Sequence, residues 1–276
     1  MLLLAGCSVM RAAGYSQAPN LLYWRLHNYL DFDEEQAPRV RAAIGEWFGW
    51  HRSTQLPDYA ALLVRARGQL GASATPALAC QWWDEVGTRA DTALDHAAPL
   101  LADVALTLTP QQLKHLERRY AKSLEELRGD YLQSEPDDRR QAAQKRTLER
   151  FETVYGRFDA EQRQRVVAGV AASPFDAERF VAERAARHQD SLAVLRRLTG
   201  ERSTRDAAVV ALRELAAQTQ RSPRPAYREY QRQLIDYNCA FAAEIHNLTT
   251  PAQRARASEW LAGWEGDVRS WTNGGN

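Results

Sequence analysis

The chain has 276 residues, 45% hydrophobic and 26% charged, with 36 lysines and arginines against 35 aspartates and glutamates. So even a balance excludes the basic footprint of a nucleic-acid-binding protein and a strongly acidic surface that would steer cations. At 31.2 kDa the chain can bury a substantial core, as one large or two small domains.

The first element is apolar: Met1, Leu2, Leu3 and Leu4 precede Ala5, Gly6, Cys7 and Ser8. Leu4-Ala5-Gly6-Cys7 resembles the lipobox of bacterial lipoproteins. The resemblance implies cleavage before Cys7, a diacylglycerol on its sulfur and an acylated new amino terminus. A secretory signal carries a positive n-region ahead of an apolar stretch of about 7–15 residues. Here the positive part is missing and the apolar part is short, which we read as a late start codon, with the true one upstream of Met1, or a trimmed sequence; the alternative is a frayed apolar N-terminus of a cytoplasmic protein. Residues 1–6 are therefore expected to be a residual signal peptide and 7–20 a lipidated tether, with the helical domain over 21–276. Serine after the cysteine, where aspartate would suggest inner-membrane retention, points to the outer membrane. Downstream, no run approaches the ~20 apolar residues needed to cross a bilayer.

With Cys7 lipidated, Cys80 and Cys239 are the remaining thiols, in a compartment where disulfides persist. Two separate buried thiols and a disulfide are both open; we favour the disulfide. Neither cysteine sits in a Cys-x-x-Cys pair.

In chain order, Leu22, Leu26, Tyr29 and Leu30 give a short first helix. Asp33 and Gln36 read as a carboxylate cap answered by an amide three residues on. The next helix carries Val40, Ile44, Trp47, Phe48 and His51, with Pro57 kinking or restarting it. After a break at 68–76, Leu78, Trp82, Val86 and Leu94 mark another helix, with Pro99 near its far end. Leu108-Thr109-Pro110-Gln111-Gln112 opens the next one with Thr at the cap, Pro at the first position and Gln at the third. Leu113, Leu116, Tyr120, Leu124, Leu127 and Tyr131 then form a 3–4 seam. Caps recur at 134–138, 158–162 and 175–176. Tyr227, Tyr230, Leu234, Tyr237, Phe241, Ile245 and Leu248 make a second seam, and the last helix starts at Thr250-Pro251. No stretch alternates as a half-buried strand does. The expectation is an all-α, irregular bundle of roughly ten helices. All eight tryptophans lie in the first 83 or the last 17 residues, so the two chain ends are expected to pack around a tryptophan-rich centre, with about 109–220 as a second lobe.

Tyr23-Trp24, the run from Asn28 to Gln36, Trp50-His51-Arg52 and Leu56-Pro57-Asp58-Tyr59 resemble an uncharacterised family of proteobacterial lipoproteins. Tyr237-Asn238-Cys239 and His246-Asn247-Leu248-Thr249 are similar to its C-terminal part. The resemblance implies a lipidated, helical envelope protein and brings no activity or functional residues. Leu108-Thr109-x-x-Gln112 also resembles the Leu-Thr-x-x-Gln motif of small periplasmic helical chaperones, although any capped helix start can produce it. Leu248-Thr249 starts a second copy with Ala252 at the glutamine position and Gln253 one residue late.

Sequence motifs for a nucleophile elbow, a phosphate loop or a zinc helix are absent. The acids Asp31, Asp33, Glu34 and Glu35 lack the length and glycine of a calcium loop and read as helix-start charges. Six histidines, at 27, 51, 96, 115, 188 and 246, show no ligand spacing. The basic stretch Arg139, Arg140, Lys145, Arg146 and Arg150 reads as a solvated face. The expected function is a non-catalytic interaction or scaffold module of the envelope, held to the membrane through Cys7 and contacting another envelope protein, with no metal, cofactor or nucleic acid. The alternatives are a chaperone-like holdase, which expects a concave apolar surface, and an envelope enzyme with a dispersed site, which expects a cleft with shifted titratable groups.

Overall fold

A computed structural model describes residues 14–201 and 203–273. Cys7 and the expected signal remnant lie outside the described residues. Among those described the chain is all-α, with no strand.

Gly14 leads into a single 3-10 turn, Tyr15–Gln17, and then α1, Ala18–Leu30. Tyr15 is 1% exposed, so the chain from here on belongs to the folded body, and the expected tether to residue 20 is too long. Asp31 stops α1 in the left-handed conformation, at φ 49°. The next helix runs through α2, Gln36–Trp50, a π turn, His51–Gln55, and α3, Leu56–Gln69, without a break. Pro57 has no N–H to offer the carbonyl four residues back. The ladder widens just before it, with the Leu56 N–H reaching His51 O, and Ser53 and Thr54 turn their hydroxyls onto upstream carbonyls. The proline is thus absorbed rather than restarting the helix.

Thr75 caps α4, Pro76–Leu106, which continues through Pro99 for 31 residues, about 46 Å at 1.5 Å per residue. Then come α5, Pro110–Tyr131, α6, Pro136–Tyr155, α7, Ala160–Ala172, α8, Ala177–Gly200, α9, Arg205–Gln220, α10, Pro225–Asn247, and α11, Pro251–Thr272. α4 is the spine: α9, α10, α2 and α8 all lie against it. The seam of α5 turns to α8, where the Tyr120 and His188 rings stack at 4.1 Å.

The chain ends do pack together. α11 lies along α3, and Tyr15, Leu56, Ala60, Val268 and Trp271 form one buried cluster. Its centre is Tyr15, whose ring touches Phe48, His51 and Trp271, rather than a nest of tryptophans. Trp24 and Trp83 point to solvent, as do Val86 and Leu94, which the α4 pattern had placed inward. Cys80 on α4 and Cys239 on α10 are joined as a disulfide with Cα atoms 5.2 Å apart. The helices of 109–220 share this body: α9 follows α4 with Arg213–Asp95 and Arg205–Asp103 ion pairs, and α5 also touches α1. The heptad seam of α10 buries Tyr230, Phe241 and Ile245, whereas Leu248 lies past the helix end and is exposed. Gly169 of α7 lies so close to the Phe241 ring that a Cβ there would clash.

Candidate functional site

Four helix starts share one pattern: a buried residue, then Asp or Thr, then Gln three positions on. They are Phe32-Asp33…Gln36, Leu108-Thr109…Gln112, Phe158-Asp159…Gln162 and Thr249-Thr250…Gln253. In each, the cap side chain accepts from the Gln backbone N–H while the Gln carbonyl oxygen accepts from the cap backbone N–H. That satisfies two orphan donors per helix start. The fourth box corrects the frame read from Leu248-Thr249: the cap is Thr250, so Gln253 sits at the proper third position.

The glutamine amides then do something that capping does not require. Gln112 Nε2 donates to Gln36 Oε1 at 2.6 Å, and Gln36 Nε2 donates back to Gln112 Oε1 at 3.2 Å. Each also donates to the carbonyl two residues before the other's cap, Gln112 to Asp31 O and Gln36 to Thr107 O, both at 3.0 Å. Gln162 and Gln253 repeat the scheme, with reciprocal amide bonds of 2.8 and 2.9 Å and further bonds to Leu248 O and Arg157 O. The helix starts are therefore clasped in two pairs, α2 with α5 and α7 with α11. Gln36, Gln112 and Gln162 are buried, so their amide bonds replace water that cannot enter, whereas Gln253 is half-buried.

The histidines are set by rings and carbonyls. His246 Nε2 must donate to Ala72 O, 2.9 Å away, which leaves Nδ1 to accept from Tyr155 OH at 2.9 Å. His115 donates to Asn28 O. His96 stacks on Trp50 at 3.8 Å, and His27 on Tyr23. His51, at the π turn, is hydrogen-bonded to Tyr15 OH at 2.8 Å and stacked on Trp47. Burial holds its pKa down at about 4 and pushes the Tyr15 phenol up. His188 is also held at about 4, by burial and then by the Arg184 charge.

The sign of the resulting pH dependence is fixed. Unfolded histidine titrates near 6.5, so between 6.5 and about 4 the unfolded chain binds protons that folded His51 refuses. Stability should fall as pH drops through that window, by at most about 1.4 kcal/mol per pH unit for His51; partly buried His188 acts in the same direction. Urea midpoints between pH 7 and 4 read this, and His51→Gln should flatten the slope. An unchanged slope in that variant would remove His51 as the cause.

Among the described residues no three His, Cys, Asp or Glu side chains gather as a metal site. Asp33, from the acidic group, is the cap of α2. In the basic stretch, Arg140 pairs with Asp137 and Arg146 lies over the Tyr131 ring. An open depression of about 650 Å³ adjoins the second clasp, lined by Glu152, Tyr155, Arg157, Arg163, Gln253 and Arg256. Arg163 is paired with Glu152 at 2.6 Å, and Arg256 lies over Gly156, whose φ of 79° no side chain favours. A second depression is lined by Arg197, Asp206, Glu214, Ala207, Val210 and Ala211. Neither is a broad concave apolar surface, and of the groups with shifted pKa only Tyr155 faces one, raised by burial.

A family of unknown function, DUF6279, matches residues 28–228. The chain belongs to this family. The DUF6279 match covers nearly three quarters of the chain and holds the first three boxes, while Cys7, Cys239 and the fourth box lie outside it. No curated protein and no solved structure matches the chain. No helix among the described residues is long and apolar enough to cross a membrane.

Proposed function

We propose that this DUF6279 protein is a lipid-anchored helical component of the bacterial envelope, facing the periplasm from the outer membrane, and that it acts by binding another envelope protein. The observation that carries the reading is the use of its three cysteines. Cys80 and Cys239 are joined in a disulfide, which suits an oxidising compartment. The remaining cysteine, Cys7, stands at the lipobox position. Among the described residues, the four box glutamines are engaged in clasps, and His51, His115 and His246 in bonds to a phenol or to backbone carbonyls.

Intact mass of the protein from the membrane fraction, expressed with its upstream codons, tests the anchor. A lipid-sized adduct on Cys7 is expected, with two thiols that alkylate only after reduction. Unmodified Cys7 in a cytosolic chain would overturn the reading. A holdase is the second reading, favoured by the recurrence of the helix-start box. It requires suppression of client aggregation at low molar ratio.

A further inference from the structure

One face of α1 packs inward: Leu22, Tyr23, Leu26 and Leu30 lie against the core of Phe32, Val40, Ile44 and Leu113. The other face carries Leu21 and Trp24, 40% and 66% exposed, with exposed Arg25 beside them. An indole held out on a rigid helix forgoes its large apolar burial, so this face is finished for an apolar medium other than the protein core. Its position in the chain says which one. Six residues lie between Cys7 and Gly14, so the two are at most about 25 Å apart along an extended chain. At Tyr15 the chain is fixed in the core, and three residues later α1 begins. An acyl group on Cys7 would therefore hold the start of α1 close to the lipid surface.

We infer that the Leu21–Trp24 face of α1, with Arg25, rests in the headgroup layer of a bilayer containing anionic lipid. This rests on the lipid-anchor reading and gives the tethered body a fixed pose. Tryptophan suits that depth because its ring is apolar and its N–H polar. Arg25 supplies a charge-assisted contact to lipid phosphate while its stem lies along the apolar surface. The acids Asp31, Asp33, Glu34 and Glu35 follow the far end of α1. Repulsion from anionic headgroups lifts that end, so the N-terminal half of α1 makes the contact.

The test uses the full chain with Cys7→Ser, which can carry no acyl chain, sedimented with vesicles of phosphatidylethanolamine and phosphatidylglycerol. Adding Leu21→Ser and Trp24→Ser should weaken partitioning about tenfold, which is about 1.4 kcal/mol of lost apolar contact. Both positions are exposed, and an unchanged thermal midpoint confirms that the fold is intact. Arg25→Glu should weaken binding at low salt and have no effect on vesicles of phosphatidylethanolamine with phosphatidylcholine. Equal partitioning of the Cys7→Ser protein with and without the two serines overturns the proposal. The mass of Cys7 is read separately: an unmodified cysteine beside a tenfold vesicle effect removes the anchor and leaves the face, whereas a lipidated cysteine without that effect removes the face alone.

Discussion

Replacing both Cys80 and Cys239 with alanine is expected to lower the unfolding free energy by roughly 3–5 kcal/mol and the thermal midpoint by about 10 °C. The bridge spans 159 residues. Closing a loop of that length is worth roughly 5 kcal/mol in the chain-entropy model, and measured values commonly fall below it. The loop encloses α5 to α9 whole, together with most of α4 and most of α10. In the oxidised chain those helices unfold as a closed loop; in the alanine pair they unfold as open chain. Both alanines are needed, because a single replacement frees the partner thiol, Cys239 or the partly exposed Cys80, to form mixed disulfides. Denaturant unfolding of the wild type with and without reductant should show a similar difference, and the alanine pair should be indifferent to reductant. A wild type whose midpoint ignores reductant would mean that the thiols are not paired in solution.

How far the sequence anticipates this architecture differs from one element to the next. The all-α class and the helix starts follow from local chemistry. Asp33, Thr109 and Asp159 announce their caps because a side-chain acceptor and an amide three residues on serve the same few backbone groups. The Cys80–Cys239 pairing was legible because the chain offers so few thiols. The burial of Tyr15 was not, since one aromatic in a polar stretch has no periodicity; only the approach of α11 to α3 creates the site it fills. Val86 and Leu94 repeat at helical spacing and are nonetheless exposed, because periodicity marks a face without saying whether a neighbour covers it. The clasps were half-legible. Each box is local, but the pairing of α2 with α5 and α7 with α11 is decided by tertiary packing. A residual signal was present in the choice of glutamine, in all four boxes, where glutamate would cap as well.

That choice yields the second large effect. If the boxes only capped their helices, Gln112→Glu would be tolerated, because a glutamate carboxylate accepts the Thr109 N–H as the amide does. In the clasp the same change removes two donated bonds, to Gln36 Oε1 and Asp31 O, and sets a buried carboxylate against both acceptors. The cost at neutral pH should be roughly 3–5 kcal/mol, exceeding the ~2–3 kcal/mol of Gln112→Ala. The introduced carboxyl titrates at raised pKa for the same reason, so Gln112→Glu should regain stability relative to Gln112→Ala as pH falls, opposite in sign to the His51 effect. Truncating Gln36 and Gln112 together should cost about 1–2 kcal/mol less than the sum of the single changes, since the first alanine already strands the other amide. At the second clasp Gln253 is only half-buried, and Gln253→Glu should cost less because water can reach the carboxylate. Urea titrations of these variants give each value directly. A Gln112→Glu protein as stable as wild type at neutral pH would reduce the four glutamines to ordinary caps, with no clasp between helix starts to account for the fold's long-range order.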